Sequence, residues 1–421
     1  MNAQQSSVQG QDLAEIAVEI QRRISQNGGI FAVSHGRKSE MVLDLPNRVS
    51  NVSYLNRKDR KRKIVKRLCQ VTWKLYRAFF ELYQISAEFR NLINFDKTDS
   101  FYWQSIDALF LRIDGAPTQN SIQVFEWGQN WNGTGWMNLI KLAYASCGKA
   151  IAVPQNRLKQ YLNSIFYSGG TIAYTEESLP YAEDFEYLAE EIFSAEGKPW
   201  DAQLLGPNFH TDQPVVLKAW ATWESGCNPY VQALIKSGIP IVSSPYHPVD
   251  TKIFSLAIFM EQFEDFLLSE LGADDFDFIQ SVTPYTTLVE VNSPSYLSHK
   301  VQIMENNRMG VLKKVDGEGS CGGNKVYLLS EYNPEKCFTF FEEAENDTTP
   351  WILQDFQQVI KRKIPCLRAD GTVEYVDTKP LYRIISGRDS DVLEFSVIAC
   401  PGTNKLHLMV SAAHGPMGPI I

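Results

Sequence analysis

A stretch of alternating side chains, residues 110–135, constrains the fold more than any other part of the chain. Successive side chains of an extended strand point to opposite faces, so Arg112 and Asp114 share one face of a first strand. The segment GAPTQNS follows, and its residue types commonly reverse the chain. A second alternating run then places Val124 and Glu126 together on one face. The pattern predicts a β-hairpin.

The acidic side chains of the two strands indicate a chemistry for this hairpin. Asp114 and Glu126 lie an even number of residues apart, so antiparallel pairing can bring both carboxylates to one side of the sheet. Magnesium prefers hard oxygen ligands and shares them with substrate phosphates, while arginine neutralises phosphate charge. Two carboxylates beside Arg112, followed by an Asn/Gly-rich loop, therefore indicate a Mg²⁺–polyphosphate site. The alternative is a surface hairpin with a solvated Arg–Asp pair.

Composition argues against several classes of protein. The chain has 421 residues, enough for two or three subdomains. Its net charge of −9 argues against general nucleic-acid binding. The seven cysteines include no C-x-x-C pair, which is typical of reduced thiols, and the six histidines show no metal-ligand spacing. Because the sequence shows neither a signal-peptide core nor an apolar run of membrane-span length, we expect a cytoplasmic protein without membrane or nucleic-acid partners.

The region before the hairpin, residues 11–100, has mainly helical patterning. A dense basic run, RKDRKRKIVKR at residues 57–67, leads into an apolar and aromatic segment. We interpret the run as the solvated start of a long helix. Binding of nucleic acid, anionic lipid or an anionic substrate is the alternative that the sequence leaves open.

A strand–helix–strand pattern follows the hairpin. The run PVVLKAW from Pro214 is a buried-strand candidate, residues 228–237 suit a helix, and GIPIVSS from Gly238 is another strand. Three such elements within about thirty residues predict a βαβ unit. Lys252 comes next, and the apolar pattern after it predicts one amphipathic helix over residues 254–271.

A glycine-rich loop lies between two predicted strands at residues 309–330. The candidate phosphate-binding residues of this loop are Gly317, Gly319, Ser320, Gly322 and Gly323. The loop matches G-x-G-x-x-G, but the strand-like KVYLLS after it argues against a dinucleotide fold, which requires a helix there. We predict a flap whose backbone N–H groups close over phosphates beside Lys313, with an ordinary glycine-rich hairpin as the alternative.

The remaining chain reads mostly as β-strand. The run PWILQDF at residues 350–356 follows the flap at a distance that suits a hinge strand, whose backbone would hydrogen-bond an adenine edge. Gln354 is the candidate nucleotide-binding residue of this strand. Further strands are predicted at residues 381–386 and 392–399.

These motifs resemble those of ATP-grasp ligases in a circularly permuted order, and in particular the synthetase domain of glutathionylspermidine synthase and its relatives. Arg112, Asp114 and Glu126 match the R-x-D and E of that family. Lys313 matches the family's flap lysine, and Lys252 matches an earlier lysine on a helix. The closing HGPMGPII is similar to the family's C-terminal end.

The resemblance covers roughly residues 100–421 through short motifs, with one important departure. Gly128, two residues after Glu126, stands where the family has a metal-binding asparagine. We assign Asn130 to the metal instead, with Gln129 as the alternative. The residue after the flap lysine is a second lysine, where the family has proline.

The resemblance implies an α+β, ATP-grasp-like, circularly permuted fold with an N-terminal helical region and a βαβ-containing preATP-grasp-like lobe. The implied domains are the helical region (1–100), the metal- and phosphate-binding hairpin with its helix (101–150), the preATP-grasp-like lobe and connecting helix (151–300), the glycine-flap nucleotide-binding subdomain (301–360) and the C-terminal β-rich part of the ATP-grasp core (361–421).

The resemblance also implies an ADP-forming carboxylate–amine ligase that acts through an acylphosphate. Its cofactors would be ATP and Mg²⁺, and its partners would be small-molecule or peptide carboxylate and amine substrates. A homodimer is one oligomeric state compatible with the resemblance. Asp114, Glu126 and Asn130 would hold the metal, and Arg112 would be the catalytic residue. The residues implied to bind ATP are Lys252, Lys313, Gln354 and the five flap residues. Candidates for the substrate sites are Trp131, Trp136, Arg383 and Arg388.

Three other functions compete with this one. A catalytically inactive nucleotide-binding or scaffold protein is the first, and the missing asparagine favours it. A kinase that stops at phosphorylation is the second, and it would release ADP without forming an amide. A nucleic-acid-binding protein is the third, and only residues 57–67 favour it.

The predicted flap should respond to nucleotide. Four glycines within residues 317–323 leave the backbone poorly restrained. We expect proteolytic cleavage there without nucleotide and protection by an ATP analogue, measured by limited proteolysis with mass spectrometry. Equal cleavage rates with and without the analogue would identify a rigid structural hairpin.

Overall fold

A computed structural model provides the three-dimensional structure of the chain. The residues that it describes are 19, 22, 58–93, 108–118, 121–128, 134–146, 153, 156–194, 197–218, 229–242, 252–315, 326–357, 362–367, 373–401 and 417–419.

Helices lie mainly in the first three quarters of the described chain. In chain order they are α1 (Lys58–Ile85), α2 (Ala87–Ile93), α3 (Thr134–Ser146), α4 (Asn156–Ile165), α5 (Ala182–Tyr187), α6 (Pro229–Lys236), α7 (Ile253–Ala257), α8 (Glu261–Leu271), α9 (Ala273–Val282), α10 (Pro294–Glu305) and α11 (Pro334–Asn346). A 3₁₀ segment (Glu176–Tyr181) precedes α5, a π-helical segment (Leu188–Phe193) follows it, and a short 3₁₀ turn (Leu329–Glu331) precedes α11.

The strands of the described residues form three separate sheets. In chain order they are β1 (Phe110–Pro117), β2 (Ile122–Gly128), β3 (Gly170–Tyr174), β4 (Trp200–Leu204), β5 (Val215–Lys218), β6 (Ile241–Val242), β7 (Thr286–Leu288), β8 (Gly310–Lys314), β9 (Val326–Leu328), β10 (Trp351–Asp355), β11 (Arg362–Leu367), β12 (Val373–Gly387), β13 (Val392–Pro401) and β14 (Met417–Pro419).

The largest sheet joins the predicted hairpin to the C-terminal strands. Its order among the described residues is β14-β13-β12-β1-β2, with β11 also paired to β12, and these strands all pair antiparallel. The hairpin prediction is confirmed by the pairing of β1 with β2. Because β12 is the other neighbour of β1, segments about 270 residues apart in sequence lie side by side.

The two faces of this sheet pack against different cores. Leu111 and Ile113 of β1 join a core built with α1, α2 and α7–α9. Phe110 belongs to a second core with α3, α4 and the strands around β3. Alternation along β1 places Arg112 and Asp114 on the face of Phe110. Apolar burial therefore fixes both faces of the sheet and leaves the polar pair at an edge of the second core.

The βαβ prediction is also confirmed. The strands β4, β3, β5 and β6 form a parallel four-stranded sheet in that order. Helix α6 connects β5 to β6, as the pattern from Pro214 to residue 244 predicted.

A second antiparallel sheet has the order β7-β10-β8-β9. Its strands β8, β9 and β10 match the predicted strands around the glycine loop and the hinge, and the loop itself lies outside the described residues. Helices α10 and α11 cover one face through a core that includes Trp351 and Leu353. Lys313 and Gln354 lie on the opposite face. Since β7 pairs with β10, this sheet includes residues before 301, where the glycine-flap subdomain was predicted to begin.

The single helix predicted over residues 254–271 is wrong, because the chain forms two helices there. All five residues of α7 are buried, whereas α8 buries only a stripe at Phe263, Leu267 and Leu271. Met260 between them is extended, with φ −91° and ψ 116°. A fully buried helix and an amphipathic surface helix need different positions relative to the core, so the chain changes direction between them.

The described part of the basic run forms the first turns of α1, as predicted. Arg67 donates to the backbone oxygen of Asp274, pairs with Asp275 at 3.3 Å and lies 4.4 Å from the centre of the Phe278 ring. These contacts fasten α1 to α9. Within the described ranges, no helix combines the length and apolar character needed to cross a bilayer. Cys69 and Cys337 are free and buried.

Candidate functional site

The paired carboxylates meet because of a bulge in the hairpin. Asp114 lies opposite Glu126, whereas the next residue, Gly115, lies opposite Val124, so Phe125 is the extra residue of β2. Without the bulge, Glu126 would lie opposite Ile113 on the apolar face. The prediction that Val124 and Glu126 share a face is therefore wrong. A Cβ at Gly115 would lie 2.5 Å from the Gln123 carbonyl oxygen, so glycine permits this close approach.

Arg112 contacts both carboxylates. Its Nη2 donates to Oε1 of Glu126 at 2.8 Å, and its Nε lies 3.2 Å from Oδ2 of Asp114. The side chains of Arg112 and Asp114 are 12% and 8% exposed. Low exposure strengthens these charge-assisted contacts relative to contacts in water.

Arg383 of β12 is the second arginine of the site. It lies directly opposite Asp114 in the sheet, and directly opposed residues point to the same face. Its Nε donates to Oδ1 of Asp114 and its Nη2 donates to Oδ2, both at 3.1 Å. Sequence analysis had offered Arg383 only as a substrate-site candidate. No local motif signals this contact, because the two residues are 269 positions apart.

Lys252, just before α7, approaches the other carboxylate. Its Nζ lies 3.5 Å from Oε2 of Glu126. Burial alone would raise the pKa of Glu126, but four nearby cations outweigh burial and lower the pKa to about 2. In order of effect these cations are Lys252, Arg112, Lys313 and Arg383. Glu126 is therefore ionised at any physiological pH.

Lys313 enters the site from β8 in the second sheet. Its Nζ donates to Oε1 of Gln354 at 2.6 Å, and Nε2 of Gln354 donates to the Thr286 hydroxyl at 3.0 Å. Burial, with a smaller contribution from Lys252, lowers the pKa of Lys313 to about 7, and Glu126 opposes the shift. The lysine is thus poised to gain a proton when an anion arrives.

Gln354 occupies a different position from the predicted hinge residue. The backbone of Ile352–Gln354 pairs with β7 on one side and β8 on the other. These groups are therefore used within the sheet, and a backbone contact to an adenine edge would require residues beyond the strand. Gln354 contributes its side chain instead, by holding Lys313.

Several other predicted residues have a different or undescribed position. Arg388 donates from Nε to the Ala108 carbonyl oxygen and from its backbone N–H to the Tyr161 hydroxyl, so it anchors a turn. The predicted residues outside the described residues are Gln129, Asn130, Trp131, Gly317, Gly319, Ser320, Gly322 and Gly323. Trp136 lies in α3, and its side chain is not described.

A buried ion pair that sequence analysis missed lies on the same face of the large sheet. Glu394 of β13 lies opposite Ile385, which in turn lies opposite Arg112. Oε2 of Glu394 is 3.8 Å from Nζ of Lys141 on α3, and both side chains are 5% exposed. Burial lowers the pKa of Lys141, and Glu394 opposes that shift. The pair joins α3 to the large sheet.

The donor set fits a metal that arrives with a polyphosphate better than a metal alone. Carboxylate oxygens suit Mg²⁺, but each of the four oxygens of Asp114 and Glu126 contacts a cationic group. Within the described residues, no group of three or more His, Cys, Asp or Glu side chains could hold a metal. Phosphate oxygens can pair with these cationic side chains in place of the carboxylates, and the carboxylate oxygens then become available to a metal.

Comparison with known proteins shows a likeness of fold to a solved structure. No protein-family model matches the chain, and no curated protein matches its sequence. A glutathione synthetase-like effector from Globodera pallida covers 100% of this chain and 98% of its own, with a TM-score of 0.55 and 12% identity. A protein proposed as a gamma-glutamylcysteine synthetase from Methylobacillus flagellatus covers 90% of each chain, with a TM-score of 0.42 and 9% identity. The first likeness shows the mixed α/β fold, without pointing to glutathionylspermidine synthase specifically.

Proposed function

We propose that the chain is an ATP- and Mg²⁺-dependent ligase that joins a carboxylate to an amine, on a circularly permuted ATP-grasp fold. One observation carries the proposal: Arg112, Lys252, Lys313 and Arg383 surround the carboxylates of Asp114 and Glu126. Two sheets and the start of α7 supply these groups, so the cluster is an assembled site and not a feature of one strand.

The charge of the cluster supports MgATP as its ligand. Four cations and two carboxylates give a net charge of about +2 when Lys313 is protonated, and MgATP carries about −2. A cluster of excess positive charge would repel a divalent metal alone. Charge matching thus favours a metal and a polyphosphate that bind together.

Each residue has a task under this proposal. Lys252 and Lys313 bind phosphate oxygens, and Gln354 with Thr286 orients Lys313. Asp114 and Glu126 would hold the metal, with Asn130 as a further ligand. When bound, MgATP supplies the phosphoryl group that activates a carboxylate for attack by an amine.

Arg112 has the catalytic task. It already contacts both carboxylates, so its guanidinium lies where phosphate and metal would meet. Its planar fork can stabilise the charge that develops on the transferring phosphoryl group. The flap predicted at residues 317–323 would exclude water from the activated carboxylate.

A catalytically inactive nucleotide-binding protein is the second candidate. Gly128 stands where the related ligases have a metal-binding asparagine, and the arginines occupy both oxygens of Asp114. The Globodera pallida relative is itself described as an effector. A protein that binds nucleotide without Mg²⁺-dependent turnover would fit this candidate.

The test is ADP release with product analysis. The full chain is incubated with ATP, Mg²⁺ and pooled amines and carboxylates, and the products are analysed by mass spectrometry. An amide formed together with ADP supports the ligase. ADP with a phosphorylated product would identify a kinase, and nucleotide binding without ADP release would identify the inactive alternative.

The affinity for an ATP analogue should fall as the pH rises above about 7. Bound phosphate favours charged Lys313, so its pKa in the complex exceeds the value of about 7 in the free protein. Between these two pKa values the complex holds one more proton, and affinity decreases by at most about tenfold per pH unit. Calorimetry in two buffers of different ionisation enthalpy, at about pH 8, should show proton uptake on binding.

The matched control for this prediction is Lys313→Arg, because arginine stays charged throughout this range. Glu126 and Lys252 face the same position in both proteins, so they cannot account for a difference. The variant should bind without proton uptake. Equal affinity of the wild type at about pH 7 and about pH 9 would contradict the prediction.

A further inference from the structure

Arg383 engages both oxygens of a carboxylate that the proposed function assigns to the metal. Its Nε and Nη2 donate to the two oxygens of Asp114, each at 3.1 Å. Such a two-point contact is the strongest arrangement between a guanidinium and a carboxylate. The side chains are 17% and 8% exposed, so water weakens the pair little.

The contact of Arg383 with Asp114 hinders metal binding to Asp114 in two ways. The guanidinium covers the carboxylate edge at which a metal would bind, and its positive charge repels the metal. The same guanidinium would also suit phosphate, because its fork can contact two phosphate oxygens as well as two carboxylate oxygens.

Asp114 would keep a partner if Arg383 moved away. Nε of Arg112 stays 3.2 Å from its Oδ2, so the buried carboxylate would not be left without a cation. An unpaired buried charge is costly, and this second contact removes that cost. The exchange of Arg383 from carboxylate to phosphate therefore replaces one charge-assisted contact with another.

We propose that Arg383 is a positioning residue that makes metal binding at Asp114 conditional on nucleotide. Without nucleotide it holds both oxygens of Asp114; when phosphate enters, it moves to phosphate oxygens and exposes Asp114 to the metal. The inference rests on the proposed nucleotide site. Coupling between two ligands is reciprocal, so the metal and the nucleotide raise each other's affinity by the same factor.

The test measures binding of Mn²⁺, which accepts carboxylate ligands as Mg²⁺ does, by the paramagnetic resonance signal of the free ion. We compare the full-length wild type with Arg383→Gln in the absence of nucleotide. The variant should bind Mn²⁺ at least about tenfold more tightly, since Asp114 loses its two-point contact and keeps only the contact with Nε of Arg112. A non-hydrolysable ATP analogue should tighten Mn²⁺ binding by the wild type and have a much smaller effect on the variant.

The matched control is Lys252→Gln, which removes the same charge from the cluster and frees one oxygen of Glu126, but leaves the two-point contact on Asp114 in place. We expect it to change Mn²⁺ affinity clearly less than Arg383→Gln. If both variants bind Mn²⁺ more tightly by the same factor, the effect comes from the lost positive charge alone, and the inference is overturned. An Arg383→Gln protein with wild-type Mn²⁺ affinity would also overturn it.

Two further measurements keep the inference testable. If Arg383→Gln does not fold by circular dichroism, Arg383→Lys retains the charge and loses the two-point contact, and it should tighten Mn²⁺ binding to a smaller extent. Failure of the wild type to bind the ATP analogue would contradict the proposed function. The comparison of Mn²⁺ affinities without nucleotide would still decide the role of Arg383.

Discussion

Arg112→Lys is expected to bind ATP within a few-fold of the wild type and to lose about a hundredfold or more of the ligation rate. Lysine keeps the positive charge but replaces the planar fork with a single ammonium group. The fork spans Asp114 and Glu126, with contacts of 3.2 and 2.8 Å. A group at this junction contributes more to the transition state than to substrate binding.

Affinity is measured by calorimetry with an ATP analogue, and rate is measured by ADP release with the substrates found by product analysis. Arg90→Lys is the control, because Arg90 donates to two backbone carbonyl oxygens at the end of a helix and lies outside the cluster. Parallel losses of affinity and rate would assign Arg112 to ground-state binding. A variant that keeps both would remove Arg112 from the site.

Glu126→Gln is expected to abolish Mg²⁺-dependent turnover, with a loss of about a hundredfold or more. Glutamine keeps the size of the side chain and an acceptor oxygen for Nη2 of Arg112, but it lacks the charge that a metal requires. The Glu126 side chain is 38% exposed, so the variant should fold. Binding of an ATP analogue without metal should be as tight or tighter, since one repelling carboxylate is gone.

The control for this variant is Asp391→Asn. Asp391, between β12 and β13, pairs with Arg157 of α4; both side chains are 43% exposed, and neither contacts the cluster. It should leave ADP release and its Mg²⁺ dependence unchanged. Wild-type turnover in Glu126→Gln would remove Glu126 from the metal site. Weaker analogue binding without metal would show that Glu126 has a structural role in shaping the cluster.

The hairpin illustrates how far local patterns predict this site. Alternation placed Arg112 and Asp114 on one face, since side-chain direction in a strand is a local property of the backbone. The even number of residues between Asp114 and Glu126 predicted that the two carboxylates share a face. This is correct only because β2 contains an extra residue, Phe125. A bulge is not visible in an alternation pattern, so the predicted face of Val124 relative to Glu126 was wrong.

The sheet formed by β7 to β10 shows the same division. The prediction of strands on both sides of the glycine loop is confirmed, and so is the strand that contains Gln354. The strand β7, however, pairs with β10 on the side that the hinge interpretation had left open for adenine. The sequence does not predict this pairing, because β7 has only three residues and so short a strand shows no recognisable alternation of polar and apolar side chains.

By itself, the sequence determined the hairpin, the βαβ unit and the strands around the glycine loop. It also assigned five members of the charge cluster: Arg112, Asp114, Glu126, Lys252 and Lys313. These features follow from alternation, turn chemistry and motif spacing, which act over a few residues. Tertiary structure alone decided that Arg383 faces Asp114 and that Gln354 holds Lys313. Such contacts join segments far apart in sequence, and packing of the two cores on either side of the large sheet determines which distant strands become neighbours.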